Sequence, residues 1–430
     1  MSRLFEKNRL AGVVLALVLA AGMWGYADLV LIPYEKADAA ANLRPRGNLS
    51  DLYPRWLGTR ELLLHGRDPY SSDVTREIQA GYYGRPLDRS RTTDPTDQQG
   101  FAYPVYVVFL LAPTVYLPFA VVQAIFRWIL VAAVALSVWL WLRALSWSLT
   151  RTEVLIWIVL AIGSFPAVQG IKLQQLTLLV CALIAAATAA LVTGNLITAG
   201  ILLAIATIKP QLVGIFASWL LLWVVSDWRA RSRFAWSFLL TLAVLIVSGE
   251  VVLPGWIGNF RAAASDYWQY TGGGKSLLDV ILTPTLGRVA SAVIIVLLAA
   301  FWWRLRRQST SSETFAASIA LTSAVTLMVI PTFAAYNQLL LLPAVMWIVR
   351  FTPALWRETR GRTMLLLTAA SVFWPWVVAL VLDLALLFVP QAAVLKRWAM
   401  PLWTTLLIPI VVVAALILLV RKPAAQVNRQ

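Results

Sequence analysis

Long apolar runs decide what this chain can fold into. Residues 10–33, 119–142 and 399–420 are nearly continuous stretches of aliphatic and aromatic side chains. A run of roughly 18 or more such residues is long enough for a helix to cross a bilayer. Leu, Val and Ala occupy every face of successive segments, a pattern a soluble core does not need. Only 13% of residues are charged, against 60% hydrophobic, where soluble domains carry about 25% charged. The short alternating strands of a membrane β-barrel are absent. The expected fold is an all-α polytopic membrane protein, one integral domain over residues 1–430, with about eleven to thirteen spans. The candidate spans are 10–33, 101–118, 119–142, 153–168, 173–193, 196–225, 234–253, 285–303, 314–330, 333–349, 363–388 and 399–420.

Two of these are interrupted. Lys209-Pro210 divides 196–225, which then reads as two half-helices. Segment 101–118 holds Pro104, Pro113 and Pro118 and is either a short span or a broken, re-entrant one. The net charge is +16, yet residues 34–100 are balanced at ten acidic and ten basic. The excess sits in short loops, which is how topology is set, and not how a nucleic-acid surface is built. Arg3, Lys7 and Arg9 place the N-terminus in the cytoplasm, and Arg421 and Lys422 place the C-terminus there. The clusters Arg229/Arg231/Arg233, Arg304/Arg306/Arg307 and Arg350/Arg357/Arg360/Arg362 form cytoplasmic turns. Loops 34–100 and 254–284 then face outward; Lys396 and Arg397 would face outward against the rule. Arg143 and Arg151 face inward only if 101–118 is re-entrant. The first apolar stretch is long for a signal peptide, despite an A-x-A-like site at 37–41, and is read as a retained span. A lone Cys181 permits no disulfide framework, and a lone His65 makes no zinc site.

The outward loop 34–100 carries a dense charged stretch, NLSDLYPRWLGTRELLLHGRDPY at 48–70. It reads as a helix starting at Ser50 or Asp51 and ending at Gly66. Leu52, Trp56, Leu63 and Leu64 give it an apolar side suited to lie along the membrane. Residues 84–100 read as an irregular return.

Five constellations carry chemistry. Asp51 is either a helix N-cap or a general base at the outer surface, and the two roles are compatible. In FAYPVY (101–106), Tyr103 and Tyr106 suit an interfacial belt, and Pro104 a helix start. Gln169, Lys172, Gln174 and Gln175 interrupt an apolar region, as a polar loop or as a cavity lining. Lys209 lies inside an apolar stretch beside Pro210 and Gln211; it must snorkel, pair, or serve a polar site such as one for a lipid phosphate. Tyr336, Asn337 and Gln338 either hydrogen-bond a sugar or cap a hairpin. Glu250, Asp266 and Asp279 are read as structural. There is no P-loop, no G-x-S-x-G and no paired zinc ligands.

The order of these pieces resembles the GT-C-type membrane glycosyltransferases, and most closely glycosyltransferase family 87, the polyprenyl-phosphate-mannose-dependent α-mannosyltransferases. The likeness lies in a first span, then DLYPRWLGTRELLLHGRDPY, then FAYPVY, GIKLQQLTLL and AGILLAIATIKPQL in that order. The chain departs from the family's pattern at Pro104-Val105, where a tandem proline is common. It departs again at Tyr336-Asn337-Gln338, where a histidine is common.

The resemblance implies a GT-C-like bundle in the plasma (inner) membrane. It implies transfer of a hexose, mannose above all, from a polyprenyl-phosphate sugar to a lipid or glycan acceptor hydroxyl, with inversion. It matches Asp51 to the family's catalytic aspartate. Lys209, Lys172, Arg55, Arg60 and Arg67 become neighbours of the leaving phosphate, and Tyr103, Gln174, Gln175, Gln211, Tyr336 and Asn337 line the substrate site. No metal or other cofactor is expected, because the donor is already activated. A transporter or lipid flippase is the alternative, since it also explains a broken helix around Lys209. It predicts internal repeats that are not visible, and it leaves the structured outer loop unexplained.

Overall fold

The computed structural model describes residues 2–44, 50–88, 90–95, 97–270, 274–331 and 333–420, with the side chains of 2–8 and 268–270 excepted. Arg421, Lys422 and the side chains of Arg3 and Lys7 lie outside the described residues, as do Asn48 and Leu49. Among the described residues every regular element is helical. Six helices are long and apolar enough to cross a membrane: Arg9–Ala41, Phe119–Ala144, Trp228–Val252, Pro284–Leu305, Thr359–Ala385 and Gln391–Val420. A seventh span forms if Arg151–Ile162 and Phe165–Lys172, bent by 56° against each other, count as one.

The remaining expected spans take the form of shorter apolar pieces: Thr177–Val192, Leu196–Ala206, Pro210–Val225 and Glu313–Val329, with Leu342–Arg350 behind a 3₁₀ turn at Ala335–Leu341. Their shortness has a local cause. Pro210 has no N–H to continue the preceding helix and disfavours helical backbone at Lys209. Lys209 is accordingly at φ −128° and ψ 76°. Leu196–Ala206 has only eleven residues, about 16 Å of rise, roughly half the hydrocarbon thickness. Lys209 is therefore held partway down the bundle. That short helix packs tightly on its neighbour at Gly200, where a Cβ would stand 2.6 Å from the Phe234 carbonyl oxygen. Glu313–Val329 is buried almost throughout and forms the centre of the bundle.

Segment 101–118 does not cross. It forms a five-residue helix, Val107–Leu111, and a 3₁₀ turn, Ala112–Thr114, and Pro118 then begins the span Phe119–Ala144. This settles the register that its prolines left open. Arg143 and Arg151 share an end with Arg9, because the first helix runs parallel to Arg151–Ile162: Gly12 meets Ile156, and Gly163 meets Ala20. At the same end Arg350 donates to the Leu145 carbonyl and lies 3.6 Å from Glu313. Arg231 donates to the Arg306 carbonyl at 3.0 Å. The described basic turns thus gather at one end. Lys396 and Arg397 are at the other, where Tyr34 stacks on Trp398 at 4.4 Å.

The loop within 34–100 forms two helices, Leu52–His65 and Ser72–Tyr83. The first ends where expected, at Gly66 in the left-handed region (φ 65°). Its expected apolar side is divided: Leu63 is exposed and Leu64 half-buried, while the rest of it lies on protein. Leu52, Trp56 and Leu62 are buried, the Trp56 indole donates to the Thr114 carbonyl at 3.2 Å, and Gly58 admits Phe101 so closely that a Cβ would stand 2.4 Å from its ring. For Leu52 and Trp56 the proline-broken segment thus provides the platform that the membrane was expected to provide. Glu250 and Asp279 have local roles: Glu250 accepts from the Gly255 N–H at 2.7 Å, and Asp279 completes a capping box with Ser276.

Candidate active site

A cavity of about 620 Å³ opens at the end of the bundle opposite the basic turns. The loop helix presents Asp51 to it. Asp51 occupies the N-cap position, yet its side chain makes no capping hydrogen bond. Its backbone N–H donates to the Leu173 carbonyl at 2.8 Å, which pins the helix start to the turn after Phe165–Lys172. The carboxylate is thereby left to face the cavity. One of its oxygens accepts from the Tyr82 hydroxyl at 3.2 Å, and the other accepts from the Gln175 amide. Burial first, and then the Asp51 carboxylate, push the Tyr82 pKa well above its ordinary value, so the phenol stays a donor.

Gln175 is the bridge. Its amide oxygen accepts from Lys209 Nζ at 3.3 Å. Lys209 also donates to the Thr177 hydroxyl, and Thr177 donates to Asn337 Oδ1 at 3.1 Å. The ammonium sits 4.9 Å from the Tyr336 ring centre. Lys209 is 6% exposed, and among the described residues it forms no ion pair. A buried cation with only neutral partners is costly unless an anion completes the site.

Arg55 forms another wall. It donates to the Asp51 carbonyl at 2.7 Å and lies 4.6 Å above the Tyr103 ring. Burial would lower its pKa, but Tyr103, Asp51, Tyr267 and Asp97 outweigh this and raise it. Gln211, beside Pro210, also lines the cavity.

Of the residues singled out by sequence, the structure thus brings together Asp51, Arg55, Tyr103, Gln175, Lys209, Gln211, Tyr336 and Asn337. Six others stand apart. Lys172 is paired with Glu35 at 2.5 Å and 2.6 Å, fastening the bent helix to the first one. Gln174 is fully buried at a left-handed turn position (φ 48°), where it donates to the Ile171 carbonyl at 2.6 Å and accepts from Gln123 at 3.2 Å. Arg67 pairs with Glu61 at 2.8 Å and Glu77 at 2.6 Å. Arg60 lies over Trp56, 5.6 Å from the ring centre. His65 is half exposed and meets Glu61 at 3.1 Å. Gln338 turns away from the cavity to donate to the Thr405 carbonyl at 2.5 Å.

The family comparison fits this geometry. The model of glycosyltransferase family 87 matches residues 101–331. The chain belongs to that family. It is a membrane glycosyltransferase. No curated protein and no solved structure matches it. The matched region holds Tyr103, Gln175, Lys209 and Gln211, while Asp51, Arg55, Tyr336 and Asn337 lie outside it. The membrane enzyme's cavity is therefore assembled from both matched and unmatched sequence.

Sequence reading missed five residues here. Asp97 and Gln99 come from the return segment, and Arg261, Ser265 and Tyr267 from the helix Trp256–Tyr270, which borders the mouth. One signal was available: DPTDQQG is a polar run directly before FAYPVY. Burial and then the nearby Asp51 raise the Asp97 pKa, against hydrogen bonds from Gln99 and the Arg55 charge. Two carboxylates and the cations Arg55, Lys209 and Arg261 share the cavity.

Proposed function

We propose that this transferase moves a hexose, mannose being the expected sugar, from a polyprenyl-phosphate donor to a hydroxyl of a lipid or glycan acceptor. The observation that carries this reading is the link Asp51–Gln175–Lys209 across one cavity. A carboxylate at one end suits a base, and an unpaired buried cation at the other suits a phosphate. Asp51 takes the acceptor's hydroxyl proton while the oxygen attacks the anomeric carbon. The bond from that carbon to the phosphate oxygen breaks on the opposite face, so configuration inverts. The polyprenyl phosphate leaves with the electron pair, and Lys209 and Arg55 stabilise the added charge. Tyr103, Gln175, Gln211, Tyr336 and Asn337 orient the substrates. Lys172, Gln174, Arg60 and Arg67 are given no substrate contact.

The gathering of basic turns at one end supports cytoplasmic termini and a site on the outer face of the plasma (inner) membrane. The loop 34–100 then reads as an extracytoplasmic module of a single integral domain.

The test uses membranes carrying the full chain, labelled polyprenyl-phosphate hexoses, and lipid and glycan acceptors. Asp51→Asn is expected to lower transfer by about 10²–10⁴-fold. Unchanged transfer in that variant would remove Asp51 as the base. An impermeant thiol reagent tests orientation on a cysteine placed at exposed Arg91; labelling only from the cytoplasmic side overturns the assignment.

A further inference from the structure

The return segment ends in an unusual arrangement. Gln99 is 7% exposed and lies at φ 49°, a left-handed conformation that residues with this side chain seldom adopt. Its backbone N–H donates to one Asp97 oxygen at 3.1 Å, and its side-chain Nε2 donates to the other at 2.7 Å. An ionised carboxylate can only accept, so this pair fixes which way the Gln99 amide points. Its Oε1 is then the free atom. It is buried in the cavity wall and has no hydrogen-bond partner among the described residues. A buried acceptor left unmet costs stability that a ligand can recover.

The free atom is an acceptor, which narrows the ligand. A phosphodiester has no proton to donate, so the lipid phosphate does not satisfy Gln99. A sugar or polyol hydroxyl does. Position narrows it further. Asp97 and Asp51 line the same cavity, and the Asp51 charge adds to the burial that raises the Asp97 pKa, so this edge stands on the base side of the cavity. Lys209 stands beyond Gln175. Next to Gln99, residues Gly100, Ala102 and Tyr267 also line a second pocket of about 330 Å³. Its other walls include Ser72, Thr75, Gln98 and Asp266.

We propose that Asp97 and Gln99 form a hydroxyl clamp for the acceptor, a hydroxyl-rich glycan head that reaches Asp51 through this outer polar pocket. Gln99 Oε1 accepts from a hydroxyl of the acceptor ring, and Asp97 is a positioning residue that holds the amide. The inference rests on the transferase reading above and deepens it. The acceptor oxygen, on the Asp51 side, and the leaving phosphate, on the Lys209 side, then lie on opposite faces of the anomeric carbon, as an in-line displacement requires.

The probes are methyl hexosides and a soluble mannotriose, used with the full chain in detergent or nanodiscs. Two readouts are taken: hexose transfer from labelled polyprenyl-phosphate mannose, and thermal stabilisation by the glycan alone. Gln99→Leu is expected to raise the apparent KM for glycan about tenfold, the effect of losing one hydrogen bond. Its donor KM should change less than its glycan KM. Asp97→Asn should also raise the glycan KM, because an amide at 97 no longer dictates the Gln99 orientation. Gln99→Asn, which suits the left-handed backbone and keeps an amide, should recover part of the loss. Glycan stabilisation that is lost in Gln99→Leu supports the clamp even if no transfer is seen, in which case the transferase reading is what fails. An unchanged glycan KM and stabilisation in Gln99→Leu overturns the clamp. A rise confined to the donor KM overturns it too, since Gln99 would then bind the donor sugar. A wild type that neither transfers to these glycans nor is stabilised by any of them also overturns it.

Discussion

Lys172 and Lys209 look alike in sequence. Each interrupts an apolar stretch two residues before a glutamine, and each invites assignment to a phosphate. The fold separates them. Lys172 meets both oxygens of Glu35, and its charge is already neutralised. Lys209 has the Thr177 hydroxyl, the Gln175 amide oxygen and the face of Tyr336, none of which carries a full charge. A buried cation that is paired holds structure together, while one surrounded by neutral acceptors is left for an anionic ligand. A lysine's place in the apolar run does not reveal which of the two it is; the partner does.

This contrast can be broken by exchanging the two losses. Lys209→Met should lower hexose transfer by about 10²–10³-fold, the usual effect of removing one preorganised charge from a developing anion. Thermal inactivation of the variant should be unchanged or improved, because an unpaired buried charge has gone. Transfer within error of the wild type would end the role of Lys209. Lys172→Met should do the opposite. It strands Glu35, whose side chain is 25% exposed, and should cost about 1–3 kcal/mol, below the value for fully buried pairs. The folded fraction should transfer normally, and Lys172→Met with Glu35→Met should regain most of the stability. Failure of the double change to restore stability would show that the pair is not what Lys172 contributes. The smallest effects belong to the loop arginines. Arg60→Ala and Arg67→Ala should each change stability by about 1 kcal/mol or less and leave transfer intact. A marked loss of transfer in either would return it to the site.

Part of this outcome was legible beforehand. The class of fold followed from apolar runs, and the loop helix followed from Gly66 and the uninterrupted stretch before it. The break at Lys209 followed from Pro210. Three things were not legible. The prolines of 101–118 signalled a break, but only packing against Trp56 and Gly58 made the segment a platform in place of a span. The Tyr336–Gln338 turn offered both a sugar contact and a hairpin cap. In the structure Tyr336 and Asn337 line the cavity, while Gln338 caps no hairpin and bonds instead to the Thr405 carbonyl. Asp97 and Gln99 passed as ordinary polar return residues. Their importance lies in a hydrogen-bond pairing with each other and in nearness to Asp51, neither of which spacing encodes.

The sequence by itself determined that this chain spans a membrane many times, where its helices break, and that charge is concentrated in its first long loop. These are properties of local composition: apolar length, the missing proline N–H, and the preference of left-handed backbone for glycine. The tertiary structure alone decided which polar groups are paired. Asp51 and Gln175 are 124 residues apart in the chain, and Lys172 and Glu35 are 137 apart. A buried charge is structural or functional according to what sits within about 3–4 Å of it, and those neighbours come from helices that only folding brings together.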